Sequence, residues 1–468
     1  MNKDFFKNKY NIICFIVWLL LSIWILWFFL VWNNNHSNQT PPWGFNWQPP
    51  SWWGWPYAWQ WWQSSSSVEL KSWTWGLELS SWEQSISDKV YSTSWVDSST
   101  IVVNSWASLT IDSWSILKVG WDVSNTESSE FYWLNAWVVA TNSSTLTIKN
   151  SNILTNAWWA NWVFSTNNAV VNLENVKITT QNTSGSRWLD ATYGWTINWK
   201  NIEVSTVWIH SAWLATDRWE WNINIDTAKV ITTWQDSPII YSTWKFEVKN
   251  LTWNAIWSEA CVIEWQNSIS LTDSVISWAK KWWVMIYQSF SGDAEWTGWT
   301  FTMKNWSLSA SVWPIFYITN TTAYINLENV LLSWNDWKLL TAEANSRWWT
   351  TWSNWWSAVL NATNQVLSWD IEVDNISSLK LNLKSNSNLT WWINNTNKAK
   401  SIDLTLDETS KVNLTKNSYV TTITANISND EVKNIYWNGF NLYYSSKDNS
   451  NLSWKTYKLQ NGGELIPY

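Results

Sequence analysis

Six segments of this chain can be laid under one another in a fixed register, and that register limits the fold more than any other feature. They are Thr145-Leu146-Thr147-Ile148, Val171-Asn172-Leu173, Thr196-Ile197, Ile223-Asn224-Ile225, Phe246-Glu247-Val248 and Ile269-Ser270-Leu271. Their first apolar positions step by 25, 26, 26, 23 and 23 residues. Each is followed by a turn residue, at Asn150, Asn175, Asn201, Thr227, Asn250 and Asp273. Three positions further on comes an apolar residue, at Ile153, Ile178, Val204, Val230 and Ile276, with Trp253 in the fifth unit. A third strand closes each unit: Val163-Phe164, Leu189-Asp190-Ala191, Leu214-Ala215, Ile240-Tyr241, Val262-Ile263 and Val284-Met285-Ile286. Near the C-terminus Leu379, Leu381 and Leu383 recur as Ile402, Leu404 and Leu406.

Three short strands per unit is what one coil of a parallel β-helix requires. Each strand pairs with its equivalent above and below, and alternate side chains enter a narrow core. The expected fold is therefore all-β, a solenoid of about 14 rungs at ~4.8 Å each. A β-sandwich also has many short strands, but it does not predict a register that returns at every coil. Asn residues at equivalent turns can stack as a hydrogen-bonded ladder, and corners with a left-handed backbone favour Gly.

Gly, however, is scarce. The chain holds 55 Trp and 11 Gly in 468 residues, whereas Gly ordinarily runs near ~7% and Trp is rare. Residues 41–67, PPWGFNWQPPSWWGWPYAWQWWQSSSS, become a Gly/Pro/Ser/Gln linker if W is read as G. The pairs Trp158-Trp159, Trp355-Trp356 and Trp391-Trp392 fall in polar runs where a turn tolerates Gly best. The two counts read as exchanged, as they would be if UGA codons for Gly were decoded as Trp. On that reading the hydrophobic share falls from 46% to roughly 34%, and Gly rises to about 14%. The literal alternative is a Trp-rich surface that stacks sugar rings.

Residues 12–32, Ile12 to Trp32, are apolar except for Ser22, and at ~1.5 Å per residue they would cross a ~30 Å hydrocarbon layer. Lys3, Lys7 and Lys9 precede this run and no cation follows it closely, so residues 1–11 are expected in the cytoplasm and the body outside. The rival reading is a cleaved signal peptide. Residues 33–67 read as a flexible stalk, and residues 68–468 as the β-helix, with an insertion loop near 287–300. The net charge of −7 offers nothing to nucleic acid. Cys14 and Cys261 define no disulfide framework.

Residues 258–308, SEACVIEWQNSISLTDSVISWAKKWWVMIYQSFSGDAEWTGWTFTMKNWSL, resemble a segment of bacterial cell-surface right-handed parallel β-helix proteins, the pectin-lyase-like architecture, in which most of these W positions are Gly. The resemblance extends more weakly over residues 140–468. It implies a right-handed coil and an adhesin-like surface protein. Enzymes on that scaffold need carboxylates that hold Ca²⁺ and an Arg or Lys base. Arg187, Arg218 and Arg347 lie in no acidic triad, and His36 and His210 read as surface residues.

The candidate ligand-facing group sits at the insertion, where Ile269 to Phe301 spans 32 residues instead of 22 to 26. It comprises Tyr287, Gln288, Asp293 and Glu295, with Glu264, Glu259, Lys280 and Lys281 on nearby rungs. It can present carboxylates and an aromatic ring to a sugar, and structural Ca²⁺ is compatible with it; no catalytic residue, cofactor or metal ligand is assigned. The expected role is an adhesin or surface spacer, anchored through residues 12–32, whose partner is a surface polysaccharide or a ligand on another cell. The alternatives are a polysaccharide lyase or hydrolase and a non-catalytic carbohydrate-binding protein.

Overall fold

The computed structural model describes residues 73–468, apart from internal stretches of which 181–188, 207–213, 289–298 and 344–356 are the longest. The chain divides into two units, Met1–Ser65 and Ser66–Tyr468. The expected tail, anchor and stalk lie outside the described residues, among which no helix is long and apolar enough to cross a membrane.

The second unit is a parallel β-solenoid with almost no helix. The predicted column forms as a continuous pairing: Leu146, Val171, Ile197, Ile223, Phe246 and Ile269 are partners in that order. It runs on through Phe301, Ile325, Leu360, Leu381 and Leu404. The wide step to Phe301 therefore inserts residues without breaking the register. All of these pairings are parallel, which rules out the sandwich.

Each turn carries one long strand segment and one short one. Val170–Thr180, Trp195–Thr206 and Trp221–Thr232 are long strands bent in the middle by a single residue of positive φ, at Asn175, Asn201 and Thr227. Asn150, Asn250 and Asp273 share that conformation. Asn and Asp tolerate it because their short side chains hydrogen-bond locally. Here they bond along the axis: Asn175 Nδ2 donates to Asn150 Oδ1 at 3.0 Å and Asn201 Nδ2 to Asn175 Oδ1 at 2.7 Å. The ladder resumes with Asn305 donating to Asp273 and Asn329 to Asn305.

The short segments build a second sheet of 12 strands, from Trp73–Leu79 to Asp370–Val373. The count of about 12 turns is below the 14 expected, because the inserted connections and the C-terminal end take up chain that a strict repeat would have spent on coils. One register differs as well. Ile240 pairs with Cys261, not with Val262. Cys261-Val262-Ile263 is apolar at every position, so no alternation distinguishes one register from its neighbour.

The two sheets differ in what they show to solvent. Long strands alternate: inward residues such as Leu173, Ile197 and Ile225 are buried, and outward ones are polar and accessible. Short strands such as Val163–Thr166, Cys261–Glu264 and Phe316–Thr319 are buried at every position. Both faces of those strands are shielded. On the outer side of the sheet Val102, Ala136, Val139 and Phe164 form a small separate apolar cluster, with Trp133 packed edge-on against Phe164.

Several Trp residues sit in unusual backbone or core positions. Trp82, Trp106, Trp133 and Trp454 have φ of 79, 67, 57 and 58°, a region where a Cβ costs roughly 1–2 kcal/mol. Trp299 is fully buried in register with Ala323, which pairs in turn with Ala358. Its indole N–H meets no acceptor among the described residues.

The C-terminal end is closed by a hairpin. Tyr457–Gln460 continues one parallel column beside Glu431–Tyr436, and Gly462–Pro467 continues another beside Leu442–Tyr444. The two arms pair antiparallel to each other. Gly463, at φ 53°, faces Trp437 so closely that a Cβ would lie 2.0 Å from its Cδ1.

Candidate functional site

The short-strand sheet carries a compact polar cluster on three successive turns. Ile240–Ser242, Cys261–Glu264 and Val284–Tyr287 are hydrogen-bonded neighbours in that order, and Glu264 lies in register with Tyr287. Tyr287 and Tyr241 both donate their hydroxyls to Glu264 Oε2, the former at 2.9 Å. The two phenol oxygens are 3.3 Å apart. Glu264 and Tyr287 are buried, 1% and 2% exposed. A carboxylate withdrawn from water in this way needs donors, and the two tyrosines supply them.

Burial, followed by the charge of Glu264 and the neighbouring Tyr287, pushes the Tyr241 hydroxyl well above the ordinary tyrosine range. It remains a protonated donor at physiological pH, and not a phenolate nucleophile. With two donors already on Oε2, that oxygen is occupied in clamping the turns together. A second buried carboxylate, Glu259, accepts from Ser258 Oγ at 3.0 Å. Burial raises the Cys261 thiol far above its usual range, so it is a core residue and not a reactive thiol. No group of three or more His, Cys, Asp or Glu suited to a metal is found among the described residues.

The structure thus brings together two of the predicted site residues, Tyr287 and Glu264, on strands and not on a loop. Gln288 follows directly, half-buried, and its carbonyl accepts from Asn320 Nδ2 at 3.0 Å. Asp293, Glu295, Lys280 and Lys281 lie outside the described residues, as do His36, His210 and the three Arg. Sequence reasoning missed Tyr241. The signal emerges only in the register that pairs Tyr241 with Val262, which sets Tyr241 on the same outward face as Glu264.

The exposed face of the long-strand sheet is a second feature. Its outward positions line up as charge columns across the turns. Glu174 Oε atoms lie 3.9 Å from both Lys149 and Lys200, and Glu203 lies 3.6 Å from Lys177 and 3.8 Å from Lys229. Exposed pairs of this kind contribute only ~0–1 kcal/mol each. Their value lies in register, since a slip by one turn would oppose like charges.

No family model matches this chain, and neither a curated protein nor a solved structure matches it.

Proposed function

We propose that this chain is a cell-surface β-solenoid protein that acts as an adhesin or structural spacer, with residues 12–32 as its membrane anchor and residues 33–67 as a stalk. The observation that carries the reading is the exposed long-strand face, where polar and charged columns repeat in register over successive turns. Such a face offers many weak, equivalent contacts along a rigid axis, which suits adhesion or spacing more than turnover of a single substrate. Fold alone does not assign function, so the anchor and stalk carry the surface location. The right-handed coil and the reading of most Trp as UGA-encoded Gly belong to the same proposal. They are supported by the resemblance of residues 258–308 and by the left-handed backbone at Trp82, Trp106, Trp133 and Trp454.

The test is labelling of intact cells with a membrane-impermeant amine reagent, followed by a cell or polymer adhesion assay. The expected result is labelling of the body's lysines without lysis, and adhesion lost when the gene is deleted. Lysines labelled only after lysis would overturn the surface reading. A carbohydrate-active enzyme is the second reading; release of soluble sugar from a polysaccharide by purified protein would select it.

A further inference from the structure

A trough of about 670 Å³ opens on the exposed long-strand face. One edge is a column of in-register side chains, Thr147, Asn172, Asn198, Asn224 and Glu247, from five consecutive turns. Asn198 Nδ2 donates to Asn172 Oδ1 at 3.0 Å and Asn224 Nδ2 to Asn198 Oδ1 at 3.2 Å, while Asn172 reaches Thr147 Oγ1 at 3.4 Å. A carboxamide has two N–H donors and two acceptor lone pairs. The ladder consumes at most one of each per Asn, which leaves at least one donor and one acceptor on Asn172, Asn198 and Asn224.

The opposite edge is charged, and with Glu247 from the first edge the charges of the whole lining cancel. Lys149, Lys200 and Lys249 are set against Glu174 and Asp226, with Glu247 as the third anion. Neither a polyanion such as a uronate polymer nor a polycation gains from a lining of zero net charge. The trough bottom is the sheet itself, since Leu173, Trp199 and Ile225 turn inward and are buried. Among the described residues that line the trough, no apolar side chain projects to stack a flat ring.

From these features we infer that the trough binds an uncharged, hydroxyl-rich linear glycan lying along the solenoid axis. Five rungs span about 19 Å; the three Asn rungs each offer an amide donor and acceptor to a sugar hydroxyl, Thr147 and Glu247 flank them, and the lysines and carboxylates add charge-assisted bonds at the far edge. The inference deepens the surface-protein reading by naming a ligand class, and it is tested on purified protein, so that failure of either is separable from failure of the other.

The experiment is calorimetric titration of the full chain with neutral linear hexopyranose oligomers of two to six units, and with a uronate oligomer of equal length. Affinity is expected to rise with length and level off near five units, with the uronate oligomer weaker. Asn198→Ala with Asn224→Ala is expected to weaken binding at least tenfold. Asn305→Ala, on the turn ladder outside the trough, leaves it unchanged, and circular dichroism melts confirm that all variants fold. Tighter binding of the uronate oligomer, binding of neutral oligomers unaffected by the double variant, or no binding of any neutral oligomer would overturn the inference.

Discussion

Replacement of Trp106 by Gly is expected to stabilise the solenoid, although it removes the largest side chain in favour of the smallest. Trp106 sits at φ 67° and is 81% exposed. Its indole therefore gains little from burial, while its backbone bears a strain of roughly 1–2 kcal/mol. Gly relieves that strain but costs about 0.5–1 kcal/mol in chain entropy, for a net gain of ~0.5–1 kcal/mol. Trp454, at φ 58° and 68% exposed near the opposite end, should behave alike and add independently, since the sites share no partner. In urea unfolding the pair should raise the midpoint by about 0.5 M at an unchanged slope of ~2–3 kcal/mol/M. Two controls isolate the cause. Trp106→Asn should also stabilise, because the equivalent positions in the next two turns are Ser143 and Asn168, both of positive φ. Trp95→Gly should not, because Trp95 is 60% exposed without the left-handed backbone. If Trp95→Gly stabilises as much as Trp106→Gly, or if Trp106→Asn destabilises, the strain argument fails.

Two further outcomes follow from electrostatics. Glu203→Lys would set three lysines on successive turns between Lys177 and Lys229; the melting temperature should drop at low ionic strength and largely recover in 0.5 M salt, a range where the Debye length shrinks below ~5 Å. Burial opposes ionisation of Asp407, but N–H donors from Ser385 and Ser410 and both donors of Thr409 hold its carboxyl down to about 2. Because the folded value lies below the unfolded value of ~3.9, the stability it contributes is complete above about pH 4 and lost as pH falls towards 2. Asp407→Asn should flatten thermal stability over that interval, as read by melts at half-unit pH steps.

The architecture was legible because its signal is redundant. Each inward column repeats an apolar residue at a fixed place, so a change of residue type at one position, such as Trp253 among Ile178, Val204 and Val230, does not hide the period. The turn residues were legible for a different reason: Asn150, Asn175 and Asn201 are chemically suited to a backbone that most residues avoid. Registers in the short-strand sheet were less so, since runs such as Cys261-Val262-Ile263 are apolar on both faces. The Tyr241–Glu264–Tyr287 cluster was half legible. Composition marked Glu264 and Tyr287 as chemically unusual residues near an insertion, but only pairing across turns reveals that Tyr241, 23 residues before Glu264, shares their carboxylate. The trough was not legible at all. Asn172, Asn198 and Asn224 look like ordinary surface residues until the coils place them one above another.

The C-terminal hairpin pairs antiparallel across two columns, which gives that end of the solenoid a pairing the parallel turns before it do not use. Whole turns can be inserted or deleted upstream without altering the terminus, provided that the corner residues and charge columns keep step. Removal of a single turn would set Lys149 over Lys200 without Glu174 between them, so the alternating columns favour steps of two turns. Length is thus a variable that mutation can adjust in discrete increments while the C-terminal hairpin keeps its pairing.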